Sequence, residues 1–402
     1  MPSLLQSEAR ATTSTSNPRQ PVLATVSIGS LELHNRAAVA PMSRVSATAT
    51  GRPTAEMGRY YGRFSEGGFG LVISEGLYTD CLHSRGYSNQ PGIVTERQVA
   101  AWRDVVYEVH QGGARFVAQL MHAGALSQAP AHASLDPAFE VIGPSAVQPR
   151  GQMMPEYGGE GPYRTPREMT SAEIRQVTQG FVSAARNAKR AGFDGVEIHA
   201  ANGYLLDQFL TSYTNRRTDR YGGGVENRIR LTSEIVHAVR AAVPSDFVVG
   251  VRLSQTKVND FEYRWSESDA REIFTAVGRS GVSYIHIASE GRDWLSTATL
   301  ARGVTTTGLA RELTGLPVIG NGGMDDPERA AQVIEGGHAD IVSLGRGALA
   351  NTDWPRRLER GRPIEKFHAE ILSPEATLAN AERIFRRQDP NHYITQQRSN
   401  ES

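Results

Sequence analysis

Cysteine is almost absent from the chain, which has 402 residues and a single cysteine, Cys81. One cysteine excludes an intrachain disulfide, a cysteine-rich zinc site and a cysteine-ligated iron–sulfur cluster. It fits a reducing compartment, and we therefore expect a cytoplasmic protein.

Long apolar runs and an excess charge of either sign are also missing. No apolar run reaches the roughly 18 residues of a membrane-spanning helix, so we expect no membrane partner. The 43 Lys and Arg residues balance the 43 Asp and Glu residues, which gives no reason to expect a nucleic-acid partner. The chain has no HExxH motif and no compact acidic cluster, so we expect no metal. Residues 1–20 lack the apolar core of a secretory signal and are expected to form a disordered tail.

The chain does contain eight short apolar runs separated by helical patterns. The runs predict strands at residues 37–42, 70–75, 115–120, 195–199, 247–253, 284–288, 317–320 and 341–344. The patterns between them predict helices near residues 54–67, 96–112, 171–191, 226–242, 267–280, 301–314, 326–336 and 351–359. Strands that alternate with helices indicate parallel βαβ units. Eight such units predict an α/β protein with a single (β/α)₈ TIM barrel over residues 21–362, rather than an open sheet.

Three segments add to the predicted barrel. Residues 22–35 predict a β-hairpin that turns near Gly29 and could cover the N-terminal mouth of the barrel. Residues 122–170 form a long excursion after the third strand, which is typical of a functional lid or a mobile loop. Residues 363–402 are expected to form a helical or extended C-terminal tail.

The most informative segment is Gly195–Tyr204, because it places polar side chains at the end of a predicted barrel strand, where reactive groups of this fold lie. His199 and Asn202 can both donate hydrogen bonds to one oxygen, and Tyr204 can donate a proton close by. Two donors and an acid are what the reduction of a C=C–C=O group requires. The alternative is an ordered polar residue followed by a common Asn-Gly turn.

Glycine-rich turns follow the seventh and eighth predicted strands, at Gly320–Gly323 and Gly345–Gly347. Such turns expose backbone N–H groups to a phosphate, and Arg346 can add charge-assisted hydrogen bonds. The alternative is that these glycines only permit tight turns.

Two further polar residues belong to otherwise apolar strands. Arg252 could stabilise negative charge on a reduced ring system, or it could be a buried ion-pair partner. Gln119 can donate and accept, which suits the donor–acceptor edge of a flavin. His286 also lies inside a strand, and a core histidine is as consistent with its position as a role in a site.

The order of these residues resembles the old yellow enzyme family of FMN-dependent NAD(P)H:flavin oxidoreductases and ene-reductases, over about residues 22–360. The segments that carry the resemblance are Asn35-Arg36, Ala40-Pro41-Met42-Ser43, Gly86-Tyr87, Pro91-Gly92, Gln119, His122-Ala123-Gly124, Pro144-Ser145, His199-Ala-Ala-Asn202-Gly-Tyr204, Thr218-Asp-Arg-Tyr221, Glu226-Asn-Arg228 and Gly345-Arg346.

The resemblance implies a TIM barrel with FMN at its C-terminal mouth and NAD(P)H as co-substrate. It implies ping-pong hydride transfer from flavin N5 to the activated C=C bond of an α,β-unsaturated carbonyl or nitro compound. His199 and Asn202 would bind the substrate oxygen, and Tyr204 would protonate the substrate. The cofactor-binding positions that it implies are Pro41, Met42, Ser43, Gly76, Gln119, Arg252, Gly322, Gly323, Gly345 and Arg346.

Some positions depart from the family pattern. Ser43 stands where relatives carry Thr or Cys, and Met121 and Ala125 replace a frequent aromatic residue and a frequent Arg. These changes leave the expected chemistry in place and bear on the shape of the pocket, the substrate preference and the subunit contacts.

Other functions fit parts of the same pattern. Another FMN-dependent TIM barrel, of the α-hydroxy-acid oxidase or dihydrouridine synthase type, is the alternative enzyme. The first would be expected to use paired arginines, and the second a placed cysteine and a basic surface. A flavin-binding or regulatory protein without turnover is the alternative from a different class.

Overall fold

The structure is a computed structural model that describes residues 20–128, 139–289, 294–300 and 303–388. The tail predicted at residues 1–20 lies outside the described residues, except for Gln20. Residues 389–402 of the predicted C-terminal tail and residues 129–138 of the excursion lie outside them as well.

Eight of the described strands form a closed parallel barrel. The strands in chain order are β1 (Val26–Ile28), β2 (Leu31–Leu33), β3 (Ala37–Val39), β4 (Leu71–Ile73), β5 (Leu77–Tyr78), β6 (Arg115–Met121), β7 (Ile142–Gly143), β8 (Arg167–Glu168), β9 (Gly195–Asn202), β10 (Val248–Lys257), β11 (Tyr284–Ala288), β12 (Val318–Asn321) and β13 (Ile341–Leu344). The barrel order is β4-β3-β13-β12-β11-β10-β9-β6, and pairing between β4 and β6 closes the ring. The predicted TIM barrel is therefore confirmed.

Helices surround the barrel and connect its strands. They are α1 (Gln20–Leu23), α2 (Ala55–Glu66), α3 (Glu96–Gln111), α4 (Ser171–Ala191), α5 (Leu205–Leu210), α6 (Val225–Arg228), α7 (Arg230–Ala242), α8 (Glu267–Arg279), α9 (Trp294–Thr297), α10 (Thr306–Thr314), α11 (Pro327–Glu335), α12 (Arg346–Ala350), α13 (Trp354–Glu359) and α14 (Leu378–Gln388). Thr170 and Glu173 form a complete capping box at the start of α4, which satisfies backbone donors that the helix leaves unpaired.

The predicted hairpin is present and packs under the barrel. β1 and β2 pair antiparallel around Gly29, whose φ of +55° suits glycine. Their apolar side chains form one buried cluster with residues at the beginnings of barrel strands, including Leu71, Val248 and Tyr284. The hairpin therefore covers the N-terminal end, as expected, and leaves the C-terminal end of the barrel for a site.

Several element bounds differ from the predicted ones. β3 ends at Val39 instead of residue 42 because Pro41 has no N–H to donate to a neighbouring strand. β10 runs on to Lys257, and its register with β9 shifts between Leu253 and Lys257. α10 begins only at Thr306, where Thr305 caps the helix by accepting a hydrogen bond from a backbone N–H.

The described part of the C-terminal segment packs on the barrel near the loop that follows β3. The Arg44 guanidinium donates to the Thr377 carbonyl oxygen at 3.0 Å, and the Leu378 N–H donates to Ser46 Oγ at 2.9 Å. These contacts bring the start of α14 close to the C-terminal mouth. No described helix has the combined length and apolar character that a membrane crossing requires.

Candidate active site at the carboxyl ends of the strands

A cavity of about 980 Å³ opens at the C-terminal ends of the barrel strands. Every site residue predicted from the sequence lines it. These are Pro41, Met42, Ser43, Gly76, Gln119, His199, Asn202, Tyr204, Arg252, Gly322, Gly323, Gly345 and Arg346. The barrel thus brings together side chains and turns that lie up to about 300 residues apart in the sequence, because its parallel strands all end at the same mouth.

Strand register places the charged and imidazole groups next to one another on adjacent strands. Arg252 on β10 lies opposite His199 on β9 and opposite His286 on β11. Gln119 on β6 lies opposite Glu197, two residues before His199. Alternate residues of a strand point to the same face, so Glu197 and His199 form two successive layers of the barrel interior.

The deeper layer is a connected set of hydrogen bonds, the floor network, made of Gln119, Glu197, Tyr284, His286 and Ser343. Gln119 Nε2 donates to Glu197 Oε1 at 2.8 Å, and Tyr284 Oη donates to Glu197 Oε2 at 3.0 Å. His286 Nδ1 lies 2.9 Å from Glu197 Oε2, and His286 Nε2 lies 2.9 Å from Ser343 Oγ. All five side chains are buried.

Glu197 is ionised within this network. Burial alone would raise the pKa of its carboxyl group, but His286, Arg252 and Gln119 together lower that pKa to about 2. Burial and the Arg252 cation lower the pKa of His286, which favours the neutral ring. The neutral ring then donates from Nδ1 to the carboxylate and accepts at Nε2. Arg252 lines the cavity, and the ionised Glu197 carboxylate lies in the hydrogen-bond network behind it.

His199 in the next layer is also neutral, but it is placed differently. Burial and the Arg252 cation lower the pKa of His199 to about 3. Its Nδ1 atom is buried and has no hydrogen-bond partner among the described residues. His199 lines the cavity, and a neutral imidazole carries one N–H. Because Nδ1 is closed off from solvent, the ring can donate to a ligand in the cavity when that N–H is on Nε2.

Asn202 follows on an irregular piece of backbone. Its φ is +64°, a left-handed conformation that asparagine tolerates better than most residues. Its N–H donates to Ser254 Oγ at 2.7 Å, which ties the turn to the neighbouring strand β10. The sequence predicted the residue, but the strained backbone that presents it became visible only in the structure.

Tyr204 begins the helix that follows this turn. Its ring centroid lies 5.0 Å from that of His199, and its hydroxyl group is hydrogen-bonded to the hydroxyl group of Tyr87. Burial and the neighbouring Tyr204 raise the pKa of Tyr87 well above its ordinary value, so Tyr87 stays protonated. Tyr87 belongs to a segment that carries the resemblance to the old yellow enzyme family, but nothing in the sequence predicted a role for it.

The glycine turns line the opposite side of the cavity. Gly322 and Gly323 have φ values of +111° and +70°, which side-chain-bearing residues rarely adopt. A Cβ atom on Gly345 would meet only Met42 Sδ, at 3.7 Å, so the backbone there borders open space. These turns and Arg346 fit a phosphate group, and the Gln119–Arg252 edge fits the polar edge of a flavin ring.

A buried carboxyl group supports the loop that carries Ser43, and sequence reasoning missed it. Glu75 Oε2 accepts the N–H of Arg44 at 3.0 Å, and Tyr61 Oη donates to Glu75 Oε1 at 3.2 Å. Burial raises the pKa of Glu75 to about 7. The acidic residue that ends a barrel strand was the signal that could have identified it.

The described part of the C-terminal segment also reaches the cavity. Phe367, Leu372 and Pro374 line it, although they follow the last barrel strand by more than twenty residues. No periodicity or motif in the sequence indicated this contact. It becomes visible only once the chain has folded back across the barrel mouth. Within the described residues, no group of three or more His, Cys, Asp or Glu side chains could hold a metal ion.

Comparisons with known proteins agree with this geometry. The model of the NADH:flavin oxidoreductase / NADH oxidase family matches residues 22–365. 12-Oxophytodienoate reductase 1 of Oryza sativa subsp. japonica is 35% identical over 357 residues, which are 86% of this chain and 88% of that protein.

Solved structures show the same likeness. Morphinone reductase in complex with tetrahydroNAD is 32% identical with a TM-score of 0.77, over 90% of this chain and 96% of that one. An old yellow enzyme homologue from Zymomonas mobilis is 30% identical with a TM-score of 0.79, over 90% of this chain and 98% of that one. This chain is therefore an oxidoreductase that uses FMN with NAD(P)H, and it belongs to the NADH:flavin oxidoreductase / NADH oxidase family, the old yellow enzyme family.

Proposed function

We propose that the protein reduces the activated C=C bond of α,β-unsaturated carbonyl or nitro compounds, with ping-pong use of NAD(P)H and the alkene. The observation that carries the proposal is the position of His199, Asn202 and Tyr204 in one cavity with Gln119 and Arg252. The names of the relatives, 12-oxophytodienoate reductase and morphinone reductase, support a reductase of this kind.

The cofactor would lie between the strand ends and the glycine turns. Pro41, Met42, Ser43 and Gly76 would line the ring, and Gln119 and Arg252 would hold its polar edge. The phosphate would be held by Gly322, Gly323, Gly345 and Arg346. When bound and reduced, FMN supplies a hydride.

The role of His199 and Asn202 is to bind the oxygen of the substrate. Negative charge grows on this oxygen as the C=C bond is reduced, and two preorganised donors stabilise that charge more than they stabilise the ground state. The loss of one such donor costs about 3 kcal/mol of transition-state stabilisation. His199 is neutral at working pH, so it acts as a hydrogen-bond donor and not as a cation.

The role of Tyr204 is to donate a proton to the α-carbon of the substrate. A phenol is protonated at neutral pH and is therefore available as an acid. The hydrogen bond with Tyr87 connects the Tyr204 hydroxyl group to a second phenol. When Tyr87 donates in this bond, the proton of Tyr204 remains available to the substrate. The two phenols together hold the proton next to the substrate site.

The proposed ping-pong kinetics rest on a binding space that the two substrates share. The nicotinamide and the alkene both need the space that His199 and Asn202 border, so one must leave before the other enters.

The single cysteine, Cys81, fits a reducing compartment, and we place the reaction in the cytoplasm.

The proposal is tested by anaerobic reduction of the yellow protein with NADH and, separately, with NADPH. The reduced protein is then mixed with cyclohexenone, a nitroalkene, a maleimide or an α-keto acid, and flavin absorbance is followed. We expect reoxidation by the electron-poor alkenes and none by the α-keto acid. A reduced protein that no alkene reoxidises would contradict the proposal, and reoxidation by the α-keto acid would favour an α-hydroxy-acid oxidase.

A further inference from the structure

A buried ion pair that the proposed mechanism does not use lies beside the substrate-binding turn. Lys257 Nζ donates to Asp207 Oδ1 at 2.6 Å, and the two side chains are 2% and 0% exposed. The removal of two charges from water is costly, and the attraction between them offsets the cost only when further hydrogen bonds complete the site. The further hydrogen bonds of Lys257 and Asp207 therefore indicate what the pair does in the fold.

Asp207 contacts the turn that presents Asn202 directly, and Lys257 is linked to it through Ser254. Asp207 Oδ2 accepts the N–H of Gly203 at 2.7 Å. Lys257 Nζ also donates to the Ser254 carbonyl oxygen at 3.2 Å, and the hydroxyl oxygen of the same serine accepts the N–H of Asn202 at 2.7 Å. The pair thus reaches the turn from the helix side through Asp207 and from the β10 side through Ser254.

The turn held in this way has left-handed backbone at two successive residues, which Asn-Gly adopts more readily than other pairs. Asn202 and Gly203 have successive positive φ values of +64° and +87°. A left-handed conformation at asparagine costs less than at most residues but more than at glycine, so contacts from the surrounding structure help to hold it. The same two residues connect the end of β9 to Tyr204, so a shift of the turn would move the Asn202 amide group and the Tyr204 hydroxyl group together.

Aromatic rings enclose the lysine and keep the pair dry. Lys257 Nζ lies 4.8 Å from the ring centre of Tyr263 and 5.6 Å from that of Trp265. Cation–π attraction of this kind strengthens when water is excluded. Electrostatic attraction is likewise stronger in the low dielectric of such a pocket than at the surface.

We propose that Lys257 and Asp207 are positioning residues for substrate binding, which hold the Asn202–Gly203 turn so that Asn202 and Tyr204 keep their places relative to His199. The proposal rests on the proposed function, since it concerns the binding of the substrate oxygen. Neither residue lines the cavity, so both act through the turn and not by contact with the substrate.

The test separates positioning from stability. The single variants Lys257→Met and Asp207→Leu each leave one buried charge unpaired, which destabilises the fold strongly. The double variant Lys257→Met/Asp207→Leu removes both charges and fills similar volumes, which is often neutral for stability. It also removes the acceptor for the Gly203 N–H. We therefore expect the double variant to melt at a higher temperature than either single variant, while its Asn202–Gly203 turn stays less ordered than in wild type.

Two measurements on the FMN-loaded protein report on the turn. The first is the Kd of a para-substituted phenol, whose oxygen can accept hydrogen bonds from His199 and Asn202 as the substrate oxygen would. Its binding is followed by charge-transfer absorbance with the flavin. The second is hydrogen exchange of the peptide that contains Gly203. We expect the double variant to bind the phenol at least tenfold more weakly than wild type, and its Gly203 amide to exchange at least tenfold faster.

A cavity variant controls for loss of stability. Ile235→Ala removes a buried side chain on α7 that does not line the cavity, and it should lower the melting temperature while phenol affinity stays within twofold of wild type. A double variant with phenol affinity within twofold of wild type, or with unchanged Gly203 exchange, would overturn the inference. Failure of the wild-type protein to bind phenol would instead contradict the proposed function, and the exchange rate would still decide whether the pair holds the turn.

Discussion

The floor network and the substrate end of the cavity lie two residues apart on β9, yet they are built in opposite ways. Around Glu197 the polar groups are paired with each other at 2.8–3.0 Å. At His199 a buried ring nitrogen has no partner among the described residues. A buried polar atom left unpaired costs about 1–3 kcal/mol of folding free energy. His199 carries this cost, and the paired groups around Glu197 do not.

The difference separates a resident ligand from an exchanging one. A cofactor that stays bound benefits from a rigid surface whose groups are already oriented. A substrate that enters and leaves needs donors that become satisfied only when it arrives. Charge follows the same division, because Glu197 stays ionised while His199 stays neutral.

Removal of the two donors proposed to bind the substrate oxygen should have the largest effect. His199→Ala/Asn202→Ala should lower enone turnover by about 10⁴-fold, since each donor contributes at least about 10²-fold, and should abolish phenol binding. FMN content should stay near that of wild type, because the floor network is intact. Steady-state turnover, phenol titration and the flavin-to-protein absorbance ratio measure these effects.

The control for the double variant is His237→Ala, the same truncation at an exposed position on α7, which should leave all three values unchanged. If the double variant lost FMN but reduced enones at the normal rate once FMN was added back, the substrate-end assignment would be wrong.

Loss of the proton donor should come next. Tyr204→Phe should slow reoxidation of the reduced protein by an enone about 10²-fold, the usual contribution of a placed acid. Reduction by NAD(P)H, which needs no proton from this phenol, should change less than twofold. Stopped-flow traces of the two half-reactions separate the steps, with the exposed Tyr107→Phe as control. A variant impaired only in flavin reduction would contradict the role of Tyr204.

A change in the floor should affect the cofactor more than the turnover of alkenes. Glu197→Gln removes a negative charge beside Arg252 and keeps a hydrogen-bonding group of the same shape. Bound FMN should become easier to reduce, since the reduced ring gains negative charge, and its midpoint potential should rise. Spectroelectrochemical titration measures the shift, with the exposed hairpin variant Glu32→Gln as control. An unchanged potential would show that the network acts on packing alone.

The smallest effect concerns stability against acid. Burial lowers the pKa of His122 from 6.5 to about 4, so between these values the unfolded chain binds a proton that the folded protein does not. The free energy of unfolding should therefore fall as the pH drops from 6.5 to 4, by about 1.4 kcal/mol per pH unit for this group. His122→Asn keeps an acceptor for the Gly124 N–H and removes the titration. Urea unfolding at pH 7 and pH 5 should show a smaller loss for this variant, and an equal loss would contradict the neutral His122.

Much of the fold was readable in advance because barrel strands are short, apolar and regularly spaced between helices. That the proposed site residues lie together could be predicted because the ends of parallel barrel strands meet at one mouth. Hydrogen bonds between side chains of different barrel strands could not be predicted, since they depend on strand register and strand tilt. Glu197 and His286 lie 89 residues apart, and the only hint was that Glu197 shares a strand face with His199. No feature of the sequence predicted that Phe367 lines the cavity.

The sequence by itself determined the strand count, the side of the barrel that carries the chemistry and the residue types that meet there, because spacing and polarity are local properties. Only the tertiary structure decided which of those groups are paired and which stay available. It also brought Lys257, far from any recognisable motif, next to the Asn202 turn. Hydrogen bonds and ion pairs between distant strands form only when the barrel closes, and closure sets their geometry.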